Sequence, residues 1–106
     1  MLTLTDKTFN TFINSHKYIL VIFGNDFCMA CKRVDEAVKD VESKLVSNKL
    51  GFGKVNFDEC PILSKKYECE LIPLLVLFKN GIELIRSEGA KNPQEIRKFI
   101  IRNLQS

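Results

Sequence analysis

The stretch YILVIFGNDFCMACKRVDEAV, Tyr18 to Val38, decides how the chain is read. It opens with an apolar run, Tyr18 to Phe23, rich in β-branched and aromatic residues. The run is too short for a typical helix and reads as a strand buried on both faces. Gly24 and Asn25 break it. From about Met29 to Ser47 the pattern is helical. Val34, Val38, Val41 and Leu45 form one apolar stripe at i, i+4, i+7 and i+11, and Lys32, Arg33, Glu36, Lys39 and Glu42 lie mostly off it. At the junction stand Cys28 and Cys31, one helical turn apart. Such a pair serves as a redox couple, as half of a metal site, or as two small buried residues.

Working outward, LTDKTFNTFINSH places Phe9, Phe12 and Ile13 at helical spacing behind a cap at Thr5 or Asp6. FGKVNFDE alternates, with Gly53, Val55 and Phe57 on one face, and reads as a strand. PILSKKYE opens with a proline suited to a first turn and is one or two turns of helix. LLVLF, Leu74 to Phe78, is a second buried strand. Asn80-Gly81 favours a tight hairpin because both positions accept positive φ. IELIRS is then the antiparallel partner and a sheet edge. Gly89 leads to a last helix from about Pro93, with Ile96, Phe99, Ile100 and Leu104 facing inward. The order α-β-α-β-α-β-β-α implies parallel pairing through right-handed crossovers early and an antiparallel edge late. The expected architecture is one domain over residues 1–106, an α/β three-layer sandwich with a central mixed sheet flanked by helices.

The chain has 106 residues, 45% hydrophobic and 27% charged, with a net charge of +3. That length suits a single core. Lys and Arg are interspersed with Asp and Glu, so neither nucleic acid nor a membrane surface is an expected partner. No run approaches the ~20 apolar residues of a membrane span. MLTLTDKTF lacks the features of a signal peptide, so a cytoplasmic location is expected. In a reducing cytosol paired cysteines are more often catalytic or metal-binding than structural.

The junction has a chemical consequence. Free backbone N–H groups and the dipole at a helix N-terminus favour negative charge, so a Cys28 thiolate gains stabilisation there. Lys32 stands close enough to favour the same thiolate. The one-turn spacing lets Cys28 attack a substrate disulfide and Cys31 resolve the mixed disulfide. A zinc site fits less well, because Cys28, Cys31, Cys60 and Cys69 do not form the paired C-x2-C repeat of common zinc modules. No metal and no cofactor are expected. Cys60 and Cys69 flank PILSKKYE, and a helix between them tends to hold them beyond disulfide reach. They are expected to be unpaired, with one of them partly buried. Asp26 reads as a loop residue and KRVDE, Lys32 to Glu36, as a solvated helix face.

Over nearly its whole length the chain resembles the thioredoxin family. Phe27, Cys28, Met29, Ala30, Cys31 and Lys32 match the family's W-C-G-P-C-K. KVNFDE resembles its next strand, including Lys54 and Asp58. IPLLVLFKNG resembles I-P-T-x-x-x-F-K-N-G, which puts Pro73 at the family's cis-proline facing the cysteines. EGA before a C-terminal helix matches its ending. The resemblance implies a thiol–disulfide oxidoreductase that reduces or exchanges protein disulfides through a redox-active Cys28–Cys31 pair. Cys28 would be the nucleophile and Cys31 the resolving thiol. Pro73 would bring the Ile72 backbone beside the reactive sulfur, for a substrate to pair with as an added strand. Phe27, Ile72 and Ala90 would form the apolar contact surface, with Met29 an exposed apolar contact beside it. Disulfide-bearing proteins would be the substrates, a separate thiol–disulfide reductase the electron donor, and the chain a monomer. The alternative is a non-catalytic binding or redox-sensing module on the same fold.

Three departures mark this chain. Phe27 replaces a tryptophan, keeping the aromatic face and losing an indole donor. Met29-Ala30 replaces Gly-Pro between the cysteines and makes the turn less rigid. Ile22 stands where the family has a buried aspartate that helps move a proton from the resolving thiol. Lys54 is then expected to lack its usual partner and either reach solvent or titrate low, with Cys31 deprotonated slowly. Glu36 replaces a kinking proline, so the long helix should run straighter.

Overall fold

Tyr18–Gly24 forms the middle strand of a five-stranded sheet. A computed structural model describes residues 1–104. In chain order the elements are β1 (Leu2–Leu4), α1 (Phe9–Ile13), β2 (Tyr18–Gly24), α2 (Met29–Lys44), β3 (Leu50–Asn56), α3 (Pro61–Lys66), β4 (Leu74–Lys79), β5 (Ile82–Glu88) and α4 (Pro93–Asn103). The sheet order is β1-β3-β2-β4-β5. β2 runs parallel to β3, with Val21 opposite Gly53, and antiparallel to β4, with Phe23 opposite Leu74. The mixed sheet, its flanking helices and the antiparallel edge at β5 are as the sequence predicts.

Residues 18 to 23 of β2 are each 3% exposed or less, so both faces of the strand are core. Ile19, Val21 and Phe23 point to one face, where they pack with Phe9 and Ile13 of α1, Leu63 of α3, and Val76 and Phe78 of β4. Tyr18, Leu20 and Ile22 point to the other, with Val34, Val38 and Val41 of α2 and Ile96 and Ile100 of α4. The period-2 alternation of a strand thus divides the helices into two layers. On the α4 side Ile96 and Ile100 are buried, while Phe99 and Leu104 pack at the margin.

Three local expectations are corrected. The first strand, β1, pairs in parallel with β3 through Leu2, Thr3 and Leu4, where the sequence reading had only a helix. Three residues are too few to display a period. Asp6 does not cap α1, whose N-cap is Thr8. Its Oδ1 instead accepts the Leu63 N–H at 3.2 Å and so satisfies a donor of the first turn of α3. The predicted end of α2 at Ser47 also retracts to Lys44. From Met29 to Lys44 the helix is unbroken, in keeping with Glu36 in place of a proline.

Phe78, 1% exposed, meets Phe9 and Tyr67 edge to face at centroid distances of 5.7 and 5.4 Å. Truncation there removes a large buried ring and leaves a cavity. Phe78→Ala should lower unfolding free energy by about 3–5 kcal/mol in urea titrations. A loss below about 1 kcal/mol would mean that this layer collapses freely around the gap.

Candidate functional site

The end of β2 delivers the chain to a short loop at Asn25–Phe27. There the Asn25 Oδ1 accepts the Phe27 N–H at 3.1 Å, a side-chain turn that stands Phe27 out of the surface at 91% exposed. Cys28 follows as the N-cap of α2, with extended backbone, and its Sγ accepts the Cys31 N–H at 3.1 Å. This is the bond an N-cap side chain makes, with sulfur in place of oxygen. Cys28 and Cys31 are joined as a disulfide, with Cα atoms 5.1 Å apart. The two sulfurs differ in access: Cys28 is partly exposed and Cys31 is 2% exposed. A Cβ added at Gly24 would lie 3.2 Å from both Cβ and Sγ of Cys31. Glycine at the end of β2 is therefore what lets α2 seat its second cysteine against the sheet.

The Ile72–Pro73 peptide is cis, and Pro73 is buried immediately before β4. Because Leu74 pairs with Phe23, this segment lies at the same end of the sheet as the cysteine loop. The Pro73 carbonyl accepts the Gly89 N–H at 2.9 Å, which ties the end of β5 to the same rim. Ala90 follows, exposed, and lines a groove with Arg33 and Ala37 of α2. Met29, 66% exposed, and Leu71, 62% exposed, add apolar surface at this end, whereas Ile72 is partly buried against the α1–α3 layer. Ala30 is partly buried, and Lys32 is exposed one turn beyond Cys28. The predicted site residues Phe27 to Lys32, Ile72, Pro73 and Ala90 thus gather along one rim. Lys54, on β3, lies beneath it.

Lys54 is not left without an acid. Its Nζ lies 2.8 Å from Asp35 Oδ2, with side-chain exposures of 34% and 23%. Asp35 sits on α2, four residues after Cys31, so KRVDE is not wholly a solvated face. Cys31, Asp35 and Lys54 together line a cavity of about 20 Å3, with Ile22, Gly24 and Asp26 among its other walls. Sequence reading missed Gly24 and Asp35. The signal for Asp35 was its i+4 spacing from Cys31, which puts the two on one helix face.

Cys60 and Cys69 are free, and both are buried, where one was expected to be only partly so. Burial pushes both thiols up, Cys69 to about 11; at Cys60 the Asp6 carboxylate adds to the effect of burial. A raised value means the neutral thiol persists through neutral pH, so neither sulfur supplies a thiolate. Among the described residues no cluster of three or more His, Cys, Asp or Glu could hold a metal ion. No helix there is long and apolar enough to cross a membrane.

After reduction, brief native alkylation with iodoacetamide at pH 8 should add one carbamidomethyl group, at Cys28. Peptide mapping that found Cys60 or Cys69 modified at a comparable rate would contradict this burial.

The family model described as Thioredoxin matches residues 1–102. The chain is similar to a thioredoxin of Buchnera aphidicola from Acyrthosiphon pisum, 33% identical over 105 residues, covering 98% of this chain and 96% of the relative. It is also similar to a thioredoxin of Chlamydia caviae, 32% identical over 89% of each chain. Thioredoxin H2 of Arabidopsis thaliana is 31% identical over 85% of this chain and 66% of its own. A solved structure of Plasmodium falciparum thioredoxin superposes with a TM-score of 0.87 at 23% identity, covering 97% of this chain and 99% of that one.

Proposed function

The chain belongs to the thioredoxin family and is a thiol–disulfide oxidoreductase, and we propose that it reduces protein disulfides with Cys28 as nucleophile and Cys31 as resolving thiol. The observation that carries this assignment of roles is the asymmetry of the pair. Cys28 is the accessible N-cap of α2 and Cys31 is enclosed one turn behind it. In the reduced protein a Cys28 thiolate would sit at the positive end of the helix and keep the Cys31 N–H as a donor. It attacks one sulfur of a substrate disulfide, forming a mixed disulfide and releasing the first substrate thiolate. Cys31 then attacks Cys28 Sγ, the second substrate thiolate leaves, and the Cys28–Cys31 bond forms. The substrate gains two electrons and the dithiol loses them.

The rim supports the same reading. Phe27, Met29 and Leu71 present exposed apolar side chains, and the Ile72 main chain, at the cis bond to Pro73, would pair with substrate backbone. Ala90 offers a small contact that leaves room for an incoming chain. Lys32 adds positive charge near Cys28. A separate thiol–disulfide reductase returns the electrons, and the protein works as a cytoplasmic monomer. A binding or sensing module on the same fold would need the pair only as a switch and would not turn over.

Dithiothreitol-driven insulin reduction tests the assignment. Wild type should accelerate precipitation of the insulin B chain, and Cys28→Ser should fall to the uncatalysed rate. Cys31→Ser should instead accumulate a covalent complex with substrate through Cys28, visible on non-reducing gels. Wild type no faster than Cys28→Ser would favour the binding module.

A further inference from the structure

Resolution of the mixed disulfide requires Cys31 to lose a proton while it is 2% exposed. A thiol so enclosed cannot hand its proton directly to bulk water. Its surroundings offer one other outlet, the cavity of about 20 Å3 that it shares with Asp35 and Lys54. That volume accommodates about one water molecule, and its walls carry polar groups to hold one. Building on the dithiol reading above, we propose that Asp35 accepts the Cys31 proton through a water in this cavity, with Lys54 holding the carboxylate in place through their ion pair.

The groups around Asp35 favour this assignment. On α2 its charged neighbours are Lys32, Glu36 and Lys39, all exposed, and the Glu36 carboxylate does not line the cavity. β3 supplies Lys54, an ammonium that donates at 2.8 Å and cannot take a proton. β2 contributes Ile22 and Gly24, with no titratable group. The loop after β2 supplies Asp26, an exposed carboxylate. Asp35 alone combines partial burial, an ion-pair anchor and a place one helical turn from Cys31. In the step proposed, the Cys31 S–H bond breaks and its proton passes to the water, which gives one to Asp35. The sulfur's electron pair forms the bond to Cys28 Sγ. The bond from Cys28 to the substrate sulfur breaks, and the substrate leaves as thiolate. Asp35 later releases the proton to solvent.

Stopped-flow reaction of the reduced protein with the aromatic disulfide dithiobis(nitrobenzoate) separates the two sulfurs. The first nitrothiobenzoate released reports attack by Cys28, and the second reports resolution by Cys31. Asp35→Asn should leave the first phase intact and slow the second at least about tenfold at pH 7. The deficit should shrink as pH rises, because hydroxide increasingly removes the thiol proton without the carboxylate. Asp35→Glu, which keeps an acid on the same turn, should restore the second phase to within about threefold of wild type. The proposal is overturned by a second phase in Asp35→Asn with the wild-type rate and pH profile. A slowdown of equal size at every pH, or the loss appearing in Asp26→Asn instead, would overturn it as well. An absent first phase in wild type would sink the dithiol reading itself, so the two failures are distinguishable.

Discussion

Burial of β2 on both faces is the constraint on which the remainder of the structure depends. A strand with no solvent face must have hydrogen-bonding neighbours on both edges and a layer of side chains above and below. β3 and β4 supply the edges; α1 and α3 cover one face, and α2 and α4 the other. The reactive pair begins where this strand ends. The position of Cys28 is therefore inherited from the best-buried element, and only the short loop at Asn25–Phe27 lies between core and chemistry.

Local signals carried most of this in the sequence. The apolar run of β2, the stripe of α2, the Asn80-Gly81 turn and the proline at the start of α3 each state their conformation within a few residues. Asn80 and Gly81 do take positive φ, 52° and 81°. The features that escaped are those whose meaning lies in a distant partner. β1 is a strand only because β3 offers it an edge. Asp6 looks like a cap for the helix that follows it, yet it serves one that begins 55 residues later, because α1 and α3 share a layer. Asp35 sits among charges typical of a solvated face, and locally only its i+4 spacing from Cys31 separates it from Glu36. Its difference comes from Lys54 on the adjacent strand.

The site also shows how one fold confines thiol chemistry to a single pair. Four cysteines are present, and two are held neutral by burial, each donating weakly to a main-chain carbonyl, Cys60 to Leu4 and Cys69 to Leu71. They act as small apolar residues of the α1–α3 layer. The other two lie at a helix start, where main-chain N–H groups receive a charged sulfur. Selectivity among four identical side chains is thus a matter of dielectric and of helix polarity.

Asp35 and Cys31 belong to the same rigid rod. Their separation is fixed by a single turn of hydrogen-bonded backbone and owes little to how α2 is seated on the sheet. An acid carried on the strand would drift from the sulfur whenever helix and sheet shifted against each other. An acid carried on α2 travels with it. Any movement of α2 against the sheet would therefore carry acid and sulfur together and leave the spacing between them unchanged.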